Sequence, residues 1–329
     1  MYENVLWVFN AKNPEILGSH RLSGLIPAKH LGIKTGIFLR DTDSYNFLNI
    51  YKNLKLIILA KPFDREVLDL VKLANKKNIK IISTFDDWSD DQHREKFKER
   101  LPYWTEIAEI SSSIVVKTNT AAEVLNKKFN RKINVIEDCI EFKSDEPISH
   151  LREPPELCWF GHYSNHDTIL EGLKQLQKFK KPFNLRVISN NFEPLTNELR
   201  KFSLMLSGKI KFINWNLNYN KEIIKSDIVI IPVIMDKRRL VKSHNRMTES
   251  INLGKLVIAN ETPYYKEMQR YCYLGNISEG LDWAYKNQKK INSIILKGQK
   301  YINARFSKEK ISKKWSNLIQ KNLNTRIRI

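Results

Sequence analysis

Short apolar runs rich in Val and Ile recur along the chain, and a stretch with apolar residues at helical spacing follows most of them. In the first half the runs are NVLWVFN (4–10), KTGIFLR (34–40), LKLIILA (54–60), IKIISTF (79–85), SIVVKT (113–118) and INVIED (133–138). The intervening pattern predicts helices near 20–31, at 64–77, over about 94–110 and at 119–128. These runs are apolar along their whole length rather than alternating. Strands of that kind are covered on both faces, as in a parallel sheet flanked by helices.

The rhythm breaks at 141–155, where Pro147, Pro154 and Pro155 sit among mixed charges. This stretch reads as a linker, set at 143–155. The pattern then restarts with LCWFGH (157–162), NLRVISN (184–190), IKFINW (210–215), DIVIIPVI (227–234) and LVIAN (256–260). Helices are expected at 165–179, 195–204, 218–226, about 244–253 and from 278 onward. The expected architecture is α/β, with two doubly wound Rossmann-like domains in series facing a cleft. In such sheets ligands bind at the C-terminal ends of the strands.

At 329 residues the chain suits two domains of about 150 residues each. No run of about 18 apolar residues would span a membrane. The start, MYENVLWVFN, lacks the basic leader and cleavage site of a signal peptide. Cys139, Cys158 and Cys272 lie far apart with no paired spacing, which argues against a disulfide framework or zinc site and fits a reducing cytoplasm.

The formal charge of +20 changes the picture more. A basic surface attracts nucleic acid, anionic membranes or phosphorylated substrates; a proteome that writes Lys at surface positions gives the same number. Over 286–329 there are thirteen Lys or Arg and one acid, Glu309. Phe306, Ile311 and Trp315 recur there at helical intervals, so the segment reads as a basic amphipathic helix. It could rest on acidic lipid headgroups or pack one face on the protein. Aromatic residues are not interleaved with the charges as single-strand stacking would need.

The stretch 227–268 carries the most chemistry. A buried strand ends at Pro232. A polar loop follows with Lys237, Arg238, Arg239, Lys242 and Arg246, and a helix starts near Ser243 or His244. That helix contains Glu249 and closes at Gly254. Basic side chains at a helix N-terminus, after a parallel strand, suit a diphosphate. An acid inside the helix can accept hydrogen bonds from ribose hydroxyls. The same residues also fit a basic surface loop and an ordinary amphipathic helix capped by Ser243.

This segment resembles the nucleotide-sugar site of GT-B glycosyltransferases. The matching positions are Pro232, Glu249, Gly254 and Val257-Ile258-Ala259, and Lys242-Ser243-x-Asn245-Arg246 is similar to a Lys-Ser-x-x-Arg pattern in a subset of bacterial members. The resemblance implies that Glu249 binds the donor ribose. It implies that Lys242 and Arg246, with Ser243 and Asn245, receive the departing diphosphate. It extends over nearly the whole chain. Strand 157–160 with Gly161 resembles the first turn of a donor domain, and GSHRLSG (18–24), with Gly18 and His20, resembles the acceptor-side loop. The implied division is an acceptor-side domain over 1–142, a donor domain over 156–303, and a C-terminal helix at about 304–329 returning to the first domain. Two departures stand out. Retaining members often carry a second glutamate at the position of Val241, and an Arg and Lys after the first donor-domain strand, where this chain reads GHYSNHDT.

Further candidates are Asp86 and Asp87, with Asp90 and Asp91, which could face the acceptor, bind a divalent metal or cap a turn. His20 could serve as a base or be a surface residue at a helix start. Asn190 and Asn191 end a strand and fit a cleft lining or a turn. Tyr264 and Tyr265 could touch a sugar or pack inside. The expected function is sugar transfer from a nucleotide sugar, such as a UDP- or GDP-sugar, to a surface glycan or glycolipid. A retaining outcome is favoured, with no metal, no other cofactor and no nucleic-acid partner. The expected location is cytoplasmic, peripheral at the inner face of the membrane. The alternatives are a nucleotide-sugar epimerase on the same fold and a basic nucleic-acid-binding protein.

Overall fold

A computed structural model describes residues 2–85, 95–205 and 209–324. Among the described residues the strands are β1 (Val5–Phe9), β2 (Lys34–Ile37), β3 (Leu56–Ala60), β4 (Lys80–Thr84), β5 (Ser113–Val116), β6 (Asn134–Val135), β7 (Glu156–Phe160), β8 (Asn184–Ser189), β9 (Ile210–Asn214), β10 (Ile228–Ile231), β11 (Leu256–Ala259) and β12 (Tyr273–Leu274). They form two six-stranded sheets, ordered β2-β1-β3-β4-β5-β6 and β12-β11-β10-β7-β8-β9. Every neighbouring pair runs parallel. Helices flank both sheets, so the expected α/β architecture of two Rossmann-like sheets holds. The apolar runs are explained by this covering: β1, β3, β10 and β11 are buried at every position.

Contacts divide the chain into two compact units. The first holds Met1–Cys139, Asp236–Ser243 and Arg305–Ile329; the second holds Ile140–Met235 and His244–Ala304.

In the first unit, alternation along β1 sends side chains to both faces. Leu6 and Val8 join a core with Leu68, Val71, Trp104 and Ile107 from the helices Arg65–Lys76 and Glu95–Ile110. Trp7 points the other way and meets Trp315 edge-on, with ring centroids 4.7 Å apart. Trp315 belongs to the helix Lys308–Asn324, whose Ile311, Trp315, Leu318 and Ile319 are all buried. The basic amphipathic helix therefore spends its apolar face on its own unit. Two cations fix it further: Arg305 Nη2 lies 3.2 Å from Glu137 Oε1, and Lys314 Nζ donates to Glu137 Oε2. Glu137 is buried; burial is the largest single effect and pushes its carboxyl up, but Lys314, its own backbone and Arg305 together outweigh it and hold the carboxyl below the usual range.

In the second unit the core collects Leu157, Trp159, Leu185, Val187, Ile228, Ile230, Leu256 and Ile258 under Ile169, Leu173 and Leu281. The irregular segment 141–155 belongs to this unit. Ser144 N donates to Asn252 O (3.1 Å), Ile148 N to Gly254 O (3.1 Å) and Gln299 Nε2 to Ser144 O (2.7 Å).

Several elements depart from the expected pattern, the edge strand β12 and two short helices among them. Ser44–Ile50 forms a helix where none was expected, started by Asp43, whose Oδ1 accepts from Asn46 N at 2.7 Å. Lys237–Leu240, expected as loop, is a single helical turn capped by Asp236, whose Oδ1 accepts from Arg239 N at 2.6 Å.

Candidate functional site

Strand order locates the topological switch point of each sheet. In the second sheet β7 is the first strand, with β8 and β9 on one side and β10 and β11 on the other. The topological switch point therefore lies between the C-terminal ends of β7 and β10, where crevices form in such sheets. Gly161 leaves β7 at this point and Pro232 leaves β10.

Arg246 reaches the same place. It sits in the first turn of the helix Asn245–Asn252, and its Nη1 donates to the Phe160 carbonyl at 3.4 Å. A Cβ built on Gly161 would stand 3.6 Å from that Nη1 and 3.1 Å from the Trp159 ring. The glycine keeps the β7 end open beside the guanidinium. Tyr265 adjoins Arg246; burial pushes its phenol up, and the neighbouring guanidinium works in the opposite direction. Tyr264 is buried and meets Tyr265 edge-on at 4.6 Å.

The helix begins at Asn245, just past the expected start near Ser243 or His244. His244 occupies its cap position and makes no side-chain cap bond; its buried ring pairs with Glu267 at 3.2 Å. Asn245 is the first helical residue, and its carbonyl accepts from Thr248 Oγ1 at 3.0 Å. Glu249 is 2 % exposed, and its Oε1 accepts a short hydrogen bond from the Tyr219 hydroxyl. Gly254 closes the segment at φ +76°, where a Cβ would meet the Pro147 backbone at 2.7 Å. Lys242 and Ser243 are half-buried and group with the first unit, together with Val241 of its core.

Around the neighbouring strand ends, polar side chains tie loops together. Asn190 Oδ1 accepts from Tyr163 N (3.0 Å), and Asn191 Oδ1 accepts from Glu193 N (3.0 Å). Asn191 therefore fills the expected turn role, while Asn190 ties its own loop to the turn after β7. His162 starts the turn Tyr163–Asn165. His166 is buried with Nε2 2.8 Å from Ser189 Oγ, and burial depresses its pKa, reinforced by His162.

In the first unit the switch point lies between β1 and β3. His20 follows β1 there. It is 3 % exposed rather than a surface residue, and its ring meets Phe9 edge-on at 5.6 Å. Burial, then the charge of Lys61, lowers its pKa to about 4. Its Nδ1 has no hydrogen-bond partner among the described residues. Lys61 ends β3 with φ 52°, and its backbone N–H donates to Thr84 Oγ1 at 3.3 Å. Gly18 opens the short helix Gly18–His20 with open space where a Cβ would be. Asp86, Asp87, Asp90 and Asp91 lie outside the described residues. Among the described residues no group of three or more His, Cys, Asp or Glu could hold a metal ion, and no helix is long and apolar enough to cross a membrane. The three cysteines are buried and form no disulfide.

Sequence reasoning missed Tyr219. It stands 30 residues before Glu249, just ahead of the five-residue helix Asn220–Ile224, and no spacing rule connects the two. The aromatic run of Trp215 and Tyr219 after β9 was the available signal.

No protein-family model matches the sequence, and no curated protein matches it. Solved structures do match the fold. HepE from Anabaena, in complex with UDP and glucose, superposes with a TM-score of 0.76 at 11 % identity, over 96 % of this chain and 99 % of its own. A variant of TarM from S. aureus, in complex with UDP among other ligands, gives 0.65 at 13 % identity, over 86 % of this chain and 58 % of its own. A Listeria monocytogenes structure bearing the name of a UDP-N-acetylglucosamine 2-epimerase gives 0.58 at 10 % identity, over 99 % and 98 %. At such identities the likeness establishes the fold alone: two Rossmann-like units in one chain, a GT-B-like fold.

Proposed function

We propose that the protein transfers a sugar from a nucleotide-sugar donor to an acceptor, with the donor diphosphate received beside Arg246. The carrying observation is the placement of the Arg246 guanidinium at the C-terminal end of β7, at the switch point of the second sheet. Sugar transfer breaks the bond from the anomeric carbon to the diphosphate and forms one to an acceptor oxygen. Negative charge grows on the leaving group, so fixed positive potential there contributes most. Arginine's forked donors match phosphate oxygens. Lys242, Ser243 and Asn245 are assigned to the same diphosphate, Glu249 to the ribose, and Gly161 to the open wall beside it.

The UDP bound in the HepE and TarM structures supports a UDP-type donor. His20 is assigned to the acceptor side with Asp86 and Asp87. In an inverting reaction one of these would take the acceptor proton. A retaining outcome, which needs no such base, is the favoured reading. No metal is required, because basic side chains neutralise the diphosphate. The acceptor class is a surface glycan or glycolipid, met at the cytoplasmic face of an anionic membrane.

Thermal-shift screening against UDP, GDP, CDP and their sugars tests the donor assignment; a nucleotide that raises Tm is expected. Arg246→Ala should lower turnover at least tenfold, about 1.4 kcal/mol or more of transition-state stabilisation, with unfolding temperature preserved. Unchanged turnover in the folded variant refutes the diphosphate role. The Listeria likeness favours one second reading, an epimerase. That reading requires conversion of the donor with no acceptor present.

A further inference from the structure

Tyr219 is the one aromatic hydroxyl seen to reach the carboxylate assigned above to the ribose, among the described contacts. The ring is 4 % exposed and held from three sides. Phe142 meets it edge-on at 5.7 Å, Phe160 lies 5.9 Å away at 40°, and Trp215 lies 5.6 Å away at 31°. Tyr219 N also donates to Asn216 O at 3.1 Å, which fixes the backbone of the turn after β9. A phenylalanine would fill this cage equally well. What the hydroxyl adds to the ring is its hydrogen bond to Glu249.

Burying a carboxylate is costly unless donors replace its water. A phenol donating to a carboxylate is a charge-assisted bond, stronger than a neutral one. Here the donor has two side-chain torsions, both locked by packing, so it pins Glu249 in one rotamer before any ligand arrives. Such preorganisation is worth most where the carboxylate must meet hydroxyls in a fixed geometry. A carboxylate only accepts hydrogen bonds, and vicinal ribose hydroxyls can donate to it.

We propose that Tyr219 is a positioning residue that holds the Glu249 carboxylate for the ribose hydroxyls, and so sets the preference for ribonucleotide over deoxyribonucleotide donors. The inference rests on the assignment of Glu249 to the ribose, and the test separates the two.

Affinities of wild type, Tyr219→Phe and Phe142→Leu are measured by calorimetry for UDP and GDP and for their 2′-deoxy counterparts. Wild type should prefer the ribo form by about tenfold, the effect of a hydrogen bond to a charged group. Tyr219→Phe should lose most of that ratio while its affinity for the deoxy form changes less than about twofold. Phe142→Leu leaves both hydrogen-bonding groups intact but loosens the cage, and should lower the ratio by about threefold. It keeps the inference testable if Tyr219→Phe does not fold. A ratio unchanged in the variants that fold overturns the proposal. So does an equal loss for both forms, which would mark Tyr219 as structural only. Wild type that binds nucleotide with no ribose preference overturns the Glu249 assignment and the inference with it, while the Arg246 reading stands.

Discussion

His20 shows how a single residue can tie stability to acidity. Burial, with the charge of Lys61, sets its folded pKa at about 4, below the ordinary histidine value of about 6.5. The unfolded chain therefore binds a proton that the folded chain refuses as pH falls through 6.5. The unfolded state binding more protons means stability falls with pH across that window and levels off below about 4. Between pH 7 and pH 5 this one group should remove about 2 kcal/mol. Urea unfolding at the two values checks it: the difference should shrink in His20→Gln, and an equal difference in both proteins removes the claim. At this scale legibility was uneven. Arg246, Glu249 and Gly254 could be picked out because a charged or flexible residue type at a strand-to-helix junction has a chemical reason to be there. The start of the helix stayed open between Ser243 and His244, because Ser243 is the better capping type, while His244 occupies the cap position and pairs with Glu267. Tyr219 was invisible because its link to Glu249 runs through space.

Among the elements, the strands were the most readable, since full burial on two faces leaves an unbroken apolar run. The helix Ser44–Ile50 was the hardest. Seven residues carry too few apolar positions to show a period, and only the Asp43 cap marks its start. The turn Lys237–Leu240 was hidden for a similar reason: basic residues suggested a loop, and the deciding group was the Asp236 carboxylate at its start. The helix Lys308–Asn324 was legible as an amphipathic element, but not in what its apolar face covers. Trp315 fills the space against Trp7, and Trp315→Ala should cost about 3–5 kcal/mol. Differential scanning calorimetry reads this directly. A shift of less than about 1 kcal/mol would show that the ring's burial contributes little.

For the whole molecule, the charge of +20 is the dominant bulk property. Ile311, Trp315, Leu318 and Ile319 are engaged inside their own unit, so they are unavailable for insertion into lipid. Membrane contact by the C-terminal region would then be carried by charge alone. Cosedimentation with vesicles rich in phosphatidylserine should be measurable at low salt and lost at about 0.5 M, where screening shortens to a few Å. Binding that resists salt would mean that an apolar surface inserts. The membership of residues 236–243 in the first unit was not legible, because periodicity assigns a residue to an element and not to a unit.

The chain returns to its first unit after building its second, and the last helix lies against the first strand. During synthesis β1 through β6 can therefore gather while Trp7 still lacks its cover and Glu137 its two cations. That face of the sheet lacks one of its covering helices until residues 305–324 leave the ribosome. The second unit, spanning 140–304, has by then emerged in full, so maturation of the earlier-made half is timed by the later-made one.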